Sequence, residues 1–240
     1  MTARRTDISP DASEARPASY RPAWIASGLT LAAMLALSLW AWGQVPEGQR
    51  IPVHWGLDGQ PDRWARRFEG LFTIPIATVV TAVLLGVIPR FEPRGLHLAQ
   101  SRKAYLALWI ALLFFLGAIH AALALTAVGR PVDVARIVPV GLGVLFLVIG
   151  NYLGKLRSNF TAGIRTPWTL SSELSWNETH RAAGRLFVGL GLLLLACGLA
   201  GSSTATWVVA LGGTFAGIAF LFVYSYLVWR RDPEKQAAGR

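Results

Sequence analysis

Residues 104–129 read AYLALWIALLFFLGAIHAALALTAVG, twenty-six in a row with no Lys, Arg, Asp or Glu. A helix rises about 1.5 Å per residue, so a bilayer core about 30 Å thick needs roughly twenty apolar residues. This stretch exceeds that requirement, and in hydrocarbon a helix satisfies its own backbone N–H and C=O groups. Five further blocks meet or approach the same length with no charged side chain: Ala23–Trp42, Leu71–Pro89, Ile137–Leu153, Leu186–Gly201 and Thr206–Trp229. The blocks beginning at Ile137 and Leu186 are short, and flanking residues or a thinned bilayer would complete them. The expected fold is an all-α integral membrane protein, a bundle of six transmembrane helices.

Composition agrees. Hydrophobic residues make up 53% of the 240-residue chain and charged residues 15%, against about 25% charged in soluble domains. The net charge of +10 could indicate nucleic acid. Here, however, the arginines flank apolar blocks as they do in membrane proteins, so no direct nucleic-acid binding is expected. The single cysteine, Cys197, lies in an apolar run and reads as a small packed hydrophobe. Orientation follows from the basic residues of the connections, which gather on the cytoplasmic side. With both termini cytoplasmic, seventeen Lys and Arg face the cytoplasm and six face outward. Tryptophans at block ends (Trp24, Trp40, Trp42, Trp207, Trp229) suit an interfacial belt. Residues 1–22, polar and rich in Pro, Ser, Ala and Arg, read as a disordered cytoplasmic tail, and 230–240 as a second tail.

Two connections are too long to be simple turns and carry the candidate chemistry. In the first, 43–70, Ile51, Val53 and Trp55 alternate ahead of an Asp58-Gly59 turn signal followed by Pro61, which implies a short extended segment. His54, Trp55, Asp58 and Asp62 are the candidate ligand-binding residues of this extracytoplasmic loop. One His and two Asp are thin for zinc, so a hydrogen-bonded structural role is preferred and no metal site is assigned. The second connection, 154–185, contains Arg165, Thr166, Pro167, Trp168, Glu173, Trp176, His180 and Arg181, the candidates for partner binding or coupling at the cytoplasmic mouth. Ser171 or Ser172 is expected to cap a short helix. Ser175 with Glu178 forms a capping box for a longer helix running into the fifth block, with Glu178 pairing Arg181 three residues on. An anchoring role, with arginines on lipid phosphates, is an alternative for this loop. Asn159-Phe160-Thr161 matches a glycosylation sequon but carries no expectation on a cytoplasmic loop. Inside the blocks, His120 is the ionisable side chain placed deepest, and a neutral imidazole bonded to another helix is the preferred account. Gly189, Gly191, Gly198, Gly212, Gly213 and Gly217 are expected to let helices approach closely.

These residues resemble a known family. Ile51-Pro52-Val53-His54-Trp55 through Gly59, with Pro61-Asp62, is similar to the short signature of the bacterial DUF1648 module. Gly154-Lys155, the run Gly163-Ile164-Arg165-Thr166-Pro167-Trp168-Thr169-Leu170-Ser171, and Trp176 with Thr179-His180-Arg181 resemble SdpI-type membrane proteins. The resemblance divides the chain into a DUF1648-like module, 23–103, and an SdpI-like module, 104–229. It implies a multi-pass protein of the bacterial plasma membrane that confers immunity against a secreted antimicrobial peptide. It further implies signalling, by holding a cytoplasmic transcriptional repressor at the membrane. The expected partners are therefore membrane lipid, an extracellular peptide toxin and a cytoplasmic repressor. No cofactor is expected, and no enzymatic activity, since paired intramembrane aspartates, His-Glu-x-x-His and Gly-x-Ser-x-Gly are missing from the sequence. The alternative from another class is a small transporter or lipid-handling protein.

Overall fold

A computed structural model describes residues 19–201 and 203–234; the tail expected to be disordered falls mainly at residues 1–18, outside the described residues. Among the described residues, six helices are long and apolar enough to cross a membrane. They are α1 (Arg21–Gln44), α2 (Arg67–Val87), α4 (Arg102–Ala127), α5 (Val134–Leu153), α7 (Glu173–Ala200), and α9 (Thr214–Arg230) with the turns before it. A two-stranded hairpin, β1 (Ile51–Trp55) and β2 (Pro61–Ala65), joins α1 to α2. Short helices α3 (Gly95–Gln100) and α6 (Pro167–Ser171) sit in two connections on the opposite face of the bundle, and α8 (Ser203–Trp207) precedes a π-helical stretch, Val208–Gly213, that leads into α9. Large apolar side chains point away from the bundle: Leu29, Phe114 and Phe215 are each about 70% exposed. Water would not tolerate that surface over six helices, whereas lipid requires it.

Local chemistry sets the helix ends. Pro22 enters α1 in its first turn, where its missing N–H leaves nothing unsatisfied. The Asp133 carboxylate accepts the Arg136 N–H at 3.1 Å and starts α5, three residues ahead of the apolar block. The short fifth block is likewise lengthened, because α7 begins at Glu173. Its cap is Ser172, whose hydroxyl accepts from the Ser175 N–H at 3.0 Å. Ser175 is therefore the third residue of the helix and not its cap, a correction to the capping box expected there. Thr166, rather than Ser171 or Ser172, caps α6, in a reciprocal box with Thr169. Gly201, at φ +77°, ends α7 in a conformation that favours glycine.

α1, α2 and α4 form one half of the bundle. Its polar pin is a chain of three groups. Pro75 lies inside α2 and has no N–H, so the Leu71 carbonyl four residues back loses its helical donor. The Ser38 hydroxyl of α1 donates to that carbonyl at 2.8 Å. Nε2 of His120 on α4 lies 3.1 Å from both Ser38 Oγ and the Met34 carbonyl. A carbonyl can only accept, so Nε2 carries the proton and the imidazole ties α4 to α1. His120 is 1% exposed, a buried polar contact between helices.

The other half rests on α5 against α7. The two run antiparallel, and glycines face one another at two levels. A Cβ on Gly150 would lie 2.7 Å from the Gly184 carbonyl oxygen, and one on Gly184 would lie 2.8 Å from that of Gly150. Gly143 and Gly191 repeat the arrangement at 3.0 and 2.8 Å. The seven-residue spacing is two helical turns, so both pairs fall on one seam. Gly198 meets Val140 at the far end. Gly213, at the end of the π-helical stretch, and Gly217 of α9 receive the side-chain tips of Leu190 and Leu186 of α7. Gly189 and Gly212, by contrast, have nothing within 4 Å, so they are not packing positions. The seam yields a direct test. Gly150→Ala places a methyl against backbone that cannot move aside, and overpacking of this kind costs about 1–3 kcal/mol. Thermal denaturation in detergent should show Gly150→Ala clearly destabilised and Gly189→Ala unchanged.

Candidate functional site

The hairpin and the connection around α6 lie on opposite faces of the bundle. On the hairpin face, β1 pairs antiparallel with β2, with Ile51 opposite Ala65 and Trp55 opposite Pro61. Ile51 is fully buried among Ala41, Val45, Leu71 and Ala124, which seats the hairpin on the ends of α1, α2 and α4. The turn uses Gly59 at φ +79°, and the Asp58 carboxylate braces it by accepting the Gln60 N–H at 3.0 Å. His54 Nδ1 meets Asp62 Oδ1 at 2.6 Å, both side chains more than half exposed. The structure thus brings His54 and Asp62 together across the strands and leaves Asp58 as a turn brace. Among the described residues no group of three His, Cys, Asp or Glu could hold a metal ion. Arg67 stacks on Trp42 at 3.9 Å and donates to the Trp42 and Val45 carbonyls at the end of α1. The available signal for it was a basic residue four positions ahead of the second apolar block.

Beneath the hairpin lies an apolar cavity of about 190 Å³ walled by Val53, His54 and Trp55 above, Leu123 of α4, Val138 of α5 and Trp207. It therefore touches both halves of the bundle. Among the described residues the buried Trp207 Nε1–H has no hydrogen-bond partner, which leaves it available to an acceptor.

On the other face, residues 156–166 fold into an ordered cap. Asn159 is fully buried: its Oδ1 accepts from the Thr161 and Ala162 N–H groups at 2.8 and 2.7 Å, and its amide donates to the Arg157 carbonyl at 2.7 Å. The sequon residue is thus the brace of a turn. Gly163 has φ +114°, and a Cβ there would lie 2.4 Å from His180 Nε2. His180 accepts the Ile164 N–H on Nε2 at 3.0 Å. Since a backbone N–H can only donate, Nε2 is unprotonated, and the ring proton sits on Nδ1, bonded to the Trp176 carbonyl at 2.8 Å. Trp176 stacks on this imidazole at 4.0 Å and donates from Nε1 to the Leu156 carbonyl at 2.7 Å. Thr166 reaches Ser225 of α9 at 3.1 Å, and Trp168 packs against Phe222 and Tyr226. Ser172 bonds the buried Asp232 just past α9.

The candidate residues of this loop therefore divide. Trp176 and His180 are buried, at 0% and 1% exposed, and Thr166 nearly so; they hold the cap to the helices. Arg165, Pro167, Glu173 and Arg181 are exposed. Arg165 donates to the Phe160 carbonyl, and Arg181 pairs with Glu178 at 3.5 Å as expected.

A third group went unread in the sequence. The connection between α2 and α4 grips the cap from the other half of the bundle. Glu92 accepts the Phe160 N–H at 3.0 Å and the Thr161 hydroxyl. Arg94 bonds Ser158 and the Leu170 carbonyl and lies over the Phe160 ring. His97 bonds the Ser158 carbonyl at 2.8 Å, and Ser101 accepts the Arg157 N–H at 2.8 Å. The signal for Glu92 was a lone acid in an otherwise basic connection.

This architecture defines a multi-pass integral membrane protein with one ordered feature on each face. Residues 155–225 match the SdpI/YfhL protein family, and residues 29–79 match DUF1648, a domain of unknown function. The chain is a bacterial plasma-membrane protein carrying an SdpI/YfhL segment behind a DUF1648 segment. It is 25% identical to the immunity protein SdpI of Bacillus subtilis (strain 168) over 149 residues, 61% of this chain and 68% of the relative. No solved structure matches it.

Burial opposes ionisation of Glu92, but hydrogen bonds from Thr161, Phe160 and Arg94 outweigh it and hold the carboxyl below its ordinary value. A depressed carboxylate stabilises the cap fully above the ordinary value near pH 4, and the contribution disappears as pH falls through the lower folded value. Amide exchange at Phe160 and Thr161, corrected for intrinsic rates, should accelerate below about pH 4. Glu92→Gln should expose the same amides at pH 7, at a cost of about 1–2 kcal/mol, and abolish that acid step.

Proposed function

We propose that this chain is an SdpI-type immunity and signalling protein that meets a secreted antimicrobial peptide at its hairpin face. The observation that carries the reading is the cavity under the hairpin, because an apolar side chain lodged there would contact β1, α4, α5 and Trp207 together. His54, Trp55, Asp58 and Asp62 would surround the rest of the peptide at the rim. The similarity to an immunity protein supports the peptide as occupant. The excess of basic residues on the α6 face supports placing that face, with both termini, in the cytoplasm. There Arg165, Glu173 and Arg181 would meet a cytoplasmic repressor, while Thr166, Pro167, Trp168, Trp176 and His180 would couple the cap to the bundle.

A route between the faces is provided by α2, which starts two residues after the hairpin and ends beside Glu92 and Arg94. Peptide binding can shift the cap only if two arrangements of the bundle bind it unequally. Deleting the gene should sensitise cells to a cationic or amphipathic peptide. Restoring it as Val53→Trp, which fills the cavity, should give membrane-inserted protein without protection. Unchanged sensitivity of the deletion across a panel of such peptides would contradict the proposal.

A further inference from the structure

On the lipid-facing side of the seam between α5 and α7, at the α6 face, an open groove of about 610 Å³ runs between the two helices. Its floor is backbone, because Gly150, Gly154 and Gly184 supply no side chains, and its rim carries Lys155, Arg181 and Arg185. We propose that this groove binds the phosphate of an anionic phospholipid.

Charge makes the first argument. Three cations line one groove, and the acid beside them, Glu178, is engaged with Arg181 at 3.5 Å. Among the described residues Arg185 and Lys155 have no carboxylate partner; the Lys155 ammonium lies over the Tyr152 ring at 4.8 Å, which holds it at the rim. Cations at membrane depth need an anion or a carbonyl to replace lost water. Asn151, exposed at the same rim, adds an amide donor.

Depth makes the second. Arg185 adjoins Leu186, where an uncharged run to Ala200 begins, and Lys155 follows the end of α5 by two residues. The cations therefore stand at the boundary between hydrocarbon and water, the level of lipid phosphates, and Val188 one turn deeper gives the lipid an apolar contact. Phosphates occupy that level in both leaflets, so the site does not depend on the orientation or the peptide proposed above.

A phosphate could also arrive from solution, and the test separates the two sources. Purified protein in detergent is titrated with phosphatidylglycerol, phosphatidylcholine or inorganic phosphate, and bound lipid is counted by native mass spectrometry alongside the melting temperature. The expected result is retained phosphatidylglycerol and a raised melting temperature, with little effect of the other two. Arg185→Gln and Lys155→Gln, both on exposed side chains, should each weaken retention about fivefold. Arg185→Lys should largely keep it, as should Arg130→Gln at a distant connection. Equal protection by inorganic phosphate would overturn the lipid as ligand. Equal retention of phosphatidylcholine, or undiminished phosphatidylglycerol binding by both Gln variants, would overturn the site.

Discussion

The glycine seam between α5 and α7 is the contact on which the rest of this structure depends. In lipid, apolar side chains gain little from meeting each other, so helices are joined by close van der Waals approach and buried polar contacts. Gly143 against Gly191 and Gly150 against Gly184 bring two backbones within the reach of a single methyl group. That approach fixes both the register and the rotation of α7. Rotation then decides which residues of its first turns face inward, so Trp176 and His180 lie beneath the cap while Arg181 and Arg185 face outward.

The two halves are joined at both faces by different physics. On the hairpin side the junction is apolar: Val53 and Trp55 of β1 and Leu123 of α4 share a cavity wall with Val138 of α5 and Trp207 of the other half. On the cap side the junction is polar: Glu92, Arg94 and His97 of one half hold backbone and hydroxyl groups of the other. The cap's N–H groups at Arg157, Phe160, Thr161, Ala162 and Ile164 find acceptors in Ser101, Glu92, Asn159 and His180, a requirement for irregular backbone next to a membrane. A change at the hairpin has a continuous covalent path to this junction along α2, whose Pro75 is compensated by Ser38 and His120.

The spans were legible because about twenty uncharged residues have few other uses. Helix starts were less so, since Ser172 and Ser175 both offer a capping hydroxyl and only the fold selects Ser172. The glycines were read by abundance in the last two blocks, where Gly191 and Gly198 proved to pack and Gly189 did not. Sequence spacing gives the period of a seam only once its partner is known, and Gly143 and Gly150 lay on the partner. The alternation of Ile51, Val53 and Trp55 disclosed β1, whereas Pro61-Asp62-Arg63-Trp64 concealed β2. At the cap, polar residues such as His180 and Trp176 look like surface chemistry, and their burial follows from a tertiary contact that no local pattern encodes.

The functional account requires that the hairpin and the cap face different compartments, with the cap inside the cell. The direct measurement is labelling by a membrane-impermeant maleimide, with Cys197→Ser removing the native thiol and single substitutions Leu57→Cys at the hairpin tip or Glu173→Cys at the start of α7. The account predicts that Leu57→Cys is labelled on intact cells and Glu173→Cys only after permeabilisation. Labelling of Glu173→Cys on intact cells would contradict it.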